Sequence, residues 1–182
     1  MQDGTTTAGA DAAMPQMDPG QFRKVMGSFA TGVTVVTTVA RGQVHGMTVS
    51  AFMSGSLVPP LCVISIRKQA RMHPLLIDAG HFGVSILTKN QERISTHFAG
   101  APVADLALEY VWAGRTPLLA NSASVIAADI AAQHECGDHT LLIGRIQYLA
   151  AYDRSPLLVH QGRYASASHA AEPAPEWVTD FW

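Results

Sequence analysis

Short runs rich in β-branched and apolar residues, bounded by Gly, Pro and polar turn residues, recur along the chain and predict short β-strands. GVTVVTTV (32–39) and VHGMTVSAFMS (44–54) are β-branched runs joined by the short connection ARGQ, as in a hairpin. LCVISI (61–66) follows Pro59-Pro60, and FGVSIL (82–87) follows Gly80. SVIAADIAAQHEC (124–136) leads through Gly137 into TLLIGRIQYLAAY (140–152), and PLLVHQGRY (156–164) reads as a last strand. Helical spacing is confined to three stretches. Asp18 is placed to cap a helix with Pro19 at its first position and Phe22, Val25, Met26 and Phe29 on one face, ending between Gly27 and Gly32. MHPLLIDAG (72–80) and KNQERISTHFAG (89–100) follow, the second with Asn90 as N-cap and Gly100 as its stop. Many short strands with hairpin-like connections and few, peripheral helices predict a closed or nearly closed antiparallel β-barrel, not a doubly wound α/β sheet.

Composition narrows the setting. The chain has 182 residues, 48% hydrophobic and 14% charged, enough for one domain with a full core and no disulfide or metal staple. Residues 1–17 and 166–182 are expected to be tails flanking a domain at 18–165, because their small polar residues cannot offset the entropy of ordering. The final WVTDFW is the exception, an apolar load suited to docking on a partner subunit. Twelve basic against 14 acidic side chains give a net charge of -2, too balanced for the positive field of a nucleic-acid binder. The low charged fraction favours a homodimer with a buried interface. Cys62 and Cys136 are the only cysteines, so no disulfide framework or thiolate zinc site is indicated. With no secretory signal pattern and no apolar run of about 18 residues, a cytoplasmic protein without membrane contact is expected.

Common nucleotide and hydrolase motifs are missing: GxGxxG, GxxxxGK[ST], HExxH and GxSxG do not occur. His134, Cys136 and His139 match no standard zinc spacing, and no metal is assigned. In HGMTVSAFMSGS (45–56), Thr48, Ser50, Ser54 and Ser56 share one parity, while Met47, Val49, Ala51 and Met53 share the other. A row of neutral hydroxyls suits a polyol, phosphate or amide edge; a solvated strand face has the same pattern. Arg67, Lys68 and Arg71 cluster where a strand leaves the sheet, a place for an anionic phosphate or an ordinary solvated loop. His139, in CGDHTLLIG, falls at the barrel rim, exposed enough to titrate or stack. Tyr164, at the end of the last strand, can wall a pocket or close a core.

FRKVMGSFATGVTVVTT, HGMTVSAFMSGSLVPPL, FGVSIL, GDHTLLIGRI and PLLVHQGRY occur in the order seen in the flavin reductase family, which the chain resembles across residues 18–165. The resemblance is closest to reductase components of two-component aromatic monooxygenases. It implies a mainly β fold, a six-stranded antiparallel split β-barrel with a few peripheral helices. It also implies a homodimer that reduces FMN or FAD with NADH or NADPH for a partner monooxygenase. His45, Gly46, Met47, Thr48, Ser50 and Ala51 match the segment along the flavin ring and ribityl chain. Ser65, Ile66, Arg67, Arg71 and Met72 match the segment near the phosphate, and His97-Phe98 the helix end that completes it. His139, as the catalytic residue that positions the nicotinamide, and the turn Val159, His160, Gln161 and Gly162 match the nicotinamide side, with Tyr164 beside them. Ser85 stands where the family often has asparagine, and Arg71 and His73 where a Ser/Thr pair is common; both bear on FMN against FAD. Two rival readings keep a related barrel: a tightly held flavin acting on the protein's own organic substrate, and a non-catalytic flavin or heme binder.

Overall fold

The computed structural model describes residues 17–167; the expected tails, WVTDFW included, lie outside them except for Met17, Ser166 and Ala167. Helix α1 spans Pro19–Met26, followed by β1 (Thr31–Gly32), β2 (Thr34–Ala40), β3 (Gln43–Val49), β4 (Phe52–Ser56) and β5 (Leu61–Arg67). Then come α2 (Met72–Ala79), β6 (His81–Ile86), α3 (Glu92–Phe98), β7 (Tyr110–Ala113) and β8 (Thr116–Leu119). The chain continues through β9 (Ser124–Cys136), β10 (His139–Ala151), β11 (Leu157–His160) and β12 (Arg163–Ser166).

The main sheet runs β3-β2-β6-β9-β10-β5-β4, all antiparallel. Its two edge strands, β3 and β4, are joined by only Ser50 and Ala51. Three peptide steps reach at most about 11 Å, so the two edges must lie side by side and the sheet must curl closed. This is the split barrel expected from the sequence. The single strand expected over 44–54 is broken at the Ser50-Ala51 corner, which turns six expected strands into seven. The break also corrects the row of four hydroxyls: Thr48 lies before the corner, Ser50 on it, and Ser56 beyond a register shift after Ser54.

Alternation explains the core. Cys62, Ile64 and Ile66 of β5 and Phe82 and Val84 of β6 point inward and pack with Leu76 and Met72 of α2. Each such buried side chain contributes about 1.5–3 kcal/mol by leaving water. A second cluster, with Val33, Val35, Leu87, Leu119 and Leu157, lies under Ile94 and Phe98 of α3.

Two local expectations are corrected, and one hairpin is new. The last strand is a hairpin, β11–β12, because Gln161 (φ 49°) and Gly162 (φ 73°) both take the left-handed conformation of a two-residue turn. Asn90 does not cap α3. Gln91 occupies that position without a capping bond; its side chain accepts from Thr88 N–H at 2.9 Å and donates to the Ala120 carbonyl at 3.0 Å. The β7–β8 hairpin was not expected at all. In α1 the expected cap is present, Asp18 Oδ2 accepting from Gln21 N–H at 2.7 Å, but no residue of the helix is buried.

Candidate active site

The Ser50-Ala51 corner is fixed by backbone bonds: Phe52 N–H donates to Ser50 O, and Ser65 N–H donates to Ala51 O, each at 3.0 Å. Beside it is a cavity of about 310 Å³ lined by Thr31, Gly32, Thr34, Ser50, Phe52, Met53, Ser54 and Ile86. Thr34 Oγ1 donates to the Val49 carbonyl at 2.6 Å. Thr31 Oγ1 is buried and has no hydrogen-bond partner. A buried hydroxyl without a partner costs about 1–3 kcal/mol. The mouth of hydroxyls over apolar Phe52, Met53 and Ile86 fits a planar heteroaromatic group with polar edges, as a flavin has.

The outer face of β3 is covered by α3. A Cβ on Gly46 would lie 2.7 Å from the Phe98 ring, so only glycine lets the helix end seat there. Thr48 Oγ1 donates to the Ser95 carbonyl at 2.7 Å, and Tyr164 O–H donates to Ser95 Oγ at 2.8 Å. Gly46, Thr48, Phe98 and Tyr164 thus meet on α3, with Thr48's proton already committed to the helix. His97 Nδ1 accepts from Val103 N–H at 3.1 Å, and its ring stands edge-on to Phe98. His45 Nε2 donates to the Ala40 carbonyl at 3.2 Å.

Not every expected residue can present its side chain to a ligand. Ile66 is fully buried and Met72 nearly so, both in the barrel core, and Met47 packs against that core. These three shape the wall from inside. Arg71 is exposed at the start of α2, and Ala51 is exposed at the corner. Ser85 is buried and accepts from Leu119 N–H at 2.9 Å, so this departure from the family pattern holds β8 to the barrel.

Two residues beyond Ser65, at the C-terminal end of β5, Arg67 pairs across the ladder with His139. The positive φ of Gly137 (58°) turns β9 into β10 and places Asp138 beside both. Asp138 Oδ1 lies 2.8 Å from His139 Nδ1, and Oδ2 lies 3.9 Å from Arg67 Nε. The hydrogen bond from His139, then the charges of His139 and Arg67, hold the Asp138 carboxyl below the usual carboxylate range. His73 Nε2 lies 2.8 Å from Thr140 Oγ1, bracing the first residues of β10. A cavity of about 550 Å³ opens here, lined by Met17, Pro19, Phe22, Arg23, Arg67, Asp138 and His139. The turn Val159–Gly162 does not reach it. Gln161 N–H donates to the Gly27 carbonyl at 2.8 Å, at the C-terminal end of α1, one helical turn beyond Arg23.

Among the described residues no group of three His, Cys, Asp or Glu side chains is arranged to hold a metal ion. A further cavity of about 600 Å³, near Lys89, Gln91 and Arg154, holds none of the expected site residues.

The model of the flavin reductase like domain matches residues 26–168. The chain belongs to this family. It is 41% identical over 155 residues to an NADH-dependent flavin reductase of a Rhodococcus species, covering 84% of this chain and 88% of that one. It is 37% identical to the reductase component of 4-hydroxyphenylacetate 3-monooxygenase of Thermus thermophilus, covering 76% of this chain and 89% of the relative. The native structure of flavin reductase PheA2 superposes with a TM-score of 0.81 at 37% identity, covering 84% of this chain and all of that one. The stretch matched to the flavin reductase like domain contains both the corner cavity and the His139 rim, but it begins at the last residue of α1.

Thr31, Thr34, Ser95, Arg23 and Asp138 are additions that sequence reading missed. The signal for Thr31 and Thr34 lay in FATGVTVVTT, and for Asp138 in GDH; for Arg23 and Ser95 no sequence signal separates them from ordinary helix residues.

Proposed function

We propose that the chain is an NADH-dependent flavin reductase that delivers reduced FMN or FAD to a flavin-dependent monooxygenase. The observation that carries the reading is the corner cavity, lined by Thr31, Thr34, Ser50 and Ser54 together with apolar Phe52, Met53 and Ile86. The names of the relatives supply its chemistry, NADH as donor and flavin as acceptor, and the Thermus relative supplies the coupling to an oxygenase.

A bound flavin would supply the electron-accepting ring, with NADH as the hydride donor. The chain's own residues orient and shield. Ser50 and Ser54 would hold the polar edge of the ring, and Phe52, Met53 and Ile86 would exclude water from it. Gly46, Thr48, Phe98 and Tyr164 fix α3 along the barrel so that His97 and Phe98 close the site. Ser65, Arg67 and Arg71 serve the phosphate side. His139, held at Nδ1 by Asp138, positions the nicotinamide ring and is not an obligatory proton donor.

The protein works as a homodimer. Val25 and Met26 of α1 and Phe29 just beyond it are 62%, 57% and 75% exposed, an apolar surface that a second copy covers. Among the described residues no helix is long and apolar enough to cross a membrane. We place the enzyme in the cytoplasm, where its nicotinamide donor is regenerated.

The test is loss of the NADH absorbance by the purified chain with FMN, FAD or no added flavin. Turnover that requires added flavin is the expected result. Turnover without added flavin that survives gel filtration would favour a tightly held flavin, and no turnover with either flavin would overturn the reading.

A further inference from the structure

The last described residues leave the barrel beside a cavity that the proposed reaction does not use. In the β11–β12 hairpin Ser166 pairs with Leu157, so Ala167 departs next to Pro156 and Ser155. Ser155 and Arg154 line the cavity of about 600 Å³. A smaller cavity of about 190 Å³ adjoins it through the shared residues Ala120, Asn121 and Arg154. It adds Val111 and Tyr152, 45% and 43% exposed, so the two together form one groove with cations at its centre and apolar side chains along it.

We infer that this groove is the docking site for residues 177–182 (WVTDFW) of the same chain. These residues lie outside the described ones, and the stretch matched to the family stops at residue 168. Reach permits the docking. Nine residues (168–176) separate Ala167 from Trp177, a span of at most about 36 Å, and Pro173 and Pro175 favour an extended path. Charge is complementary. Residues 168–182 carry Glu172, Glu176 and Asp180 and no Lys or Arg. In the groove Lys89 and Arg154 make no ion pair among the described residues, and Glu109 is the one carboxylate lining it. Arg154 is held in place, donating to the Ser122 carbonyl at 2.8 Å with its guanidinium 4.8 Å from the Tyr152 ring centroid. Its remaining N–H donors are left for an incoming carboxylate. The aromatic rings of the segment find apolar cover on Ile94, Val111 and Tyr152.

The groove wall includes Gln91 and Ile94 at the start of α3, and Gln91 already ties that start to the Ala120 carbonyl at 3.0 Å. A seated segment braces α3 at the end away from His97 and Phe98. It holds the helix and does not touch the reacting groups.

Amide hydrogen exchange on the full chain is the test, run beside two full-length variants, Lys89→Glu and the triple variant Trp177→Ser, Phe181→Ser, Trp182→Ser. Peptides covering 88–94, 107–121 and 152–155 should exchange about tenfold faster in the triple variant than in the wild type, and by a smaller factor in Lys89→Glu. The β5–β10 ladder should exchange equally in all three. Added salt should speed exchange of the groove peptides in the wild type more than in Lys89→Glu. Wild-type protection should survive about a hundredfold dilution, as an intrachain contact requires. Equal exchange in the wild type and the triple variant would overturn the inference, and protection lost on dilution would overturn it in favour of a second copy. None of these outcomes requires the chain to turn over a flavin.

Discussion

Arg67 and His139 face each other across the β5–β10 ladder and share one carboxylate, that of Asp138, 2.8 Å from His139 Nδ1 and 3.9 Å from Arg67 Nε. A single anion thus sits between a cation on the proposed phosphate side and the ring on the proposed nicotinamide side. Its effect is orientation: with Nδ1 bound to Asp138, His139 can turn Nε2 toward the cavity.

Asp138→Asn should therefore lower kcat/KM for NADH about threefold to tenfold, with flavin KM little changed. The pH dependence has a definite sign. Asp138 titrates below its ordinary value in the folded chain because His139, and then Arg67, favour its charged form. Its hold on His139 is complete above the ordinary carboxylate range and is lost as pH falls through the lowered folded value. The wild-type advantage over Asp138→Asn should be flat at neutral pH and disappear in acid. An advantage that grows toward acid would contradict the arrangement.

Thr31→Val should raise stability. Replacing a buried, unpartnered hydroxyl with a methyl of the same shape removes a desolvation cost, so the flavin-free chain should gain about 1 kcal/mol in a denaturant melt. A destabilised chain would contradict this.

Gly46→Ala tests the seat of α3. The added Cβ would fall 2.7 Å from the Phe98 ring, so the helix end must shift, at a cost of about 1–3 kcal/mol. The Tm should drop by several degrees, and Phe98→Leu in the same chain should restore part of it by vacating the space. A Tm unchanged by Gly46→Ala would mean that α3 is not held against β3.

Val25→Glu places a charge on the uncovered face of α1. The wild-type chain is expected at twice its monomer mass by light scattering, and the variant at a lower average mass with its fold retained by circular dichroism. A wild-type monomer would remove the dimer from the proposal.

Where a residue's role depends on its own strand, the sequence made it legible. The apolar, β-branched runs of β2, β5, β6, β9 and β10 with their short connections pointed to the barrel, and the Gly-Asp-His turn to the rim. What depends on two distant segments was not legible. The corner at Ser50-Ala51 has no Gly or Pro to announce it, and it follows only from β3 and β4 being opposite edges of one sheet. Strand β8 carries Pro117, which argues against a strand in isolation, yet all four of its residues are buried against the barrel. Thr48 and Ser50 share a parity, but the bend sends one hydroxyl to Ser95 and the other to the cavity. Arg23 and His139, more than a hundred positions apart in sequence, come together only as walls of one cavity.

The most direct test is anaerobic reduction of FMN in large excess over the protein, followed through loss of the oxidised flavin absorbance after NADH is added. Complete bleaching, at a rate proportional to protein concentration and slowed in His139→Ala through a raised NADH KM, is the result expected of a diffusible-flavin reductase. Bleaching that stops after one flavin per chain, or none at all, would contradict it.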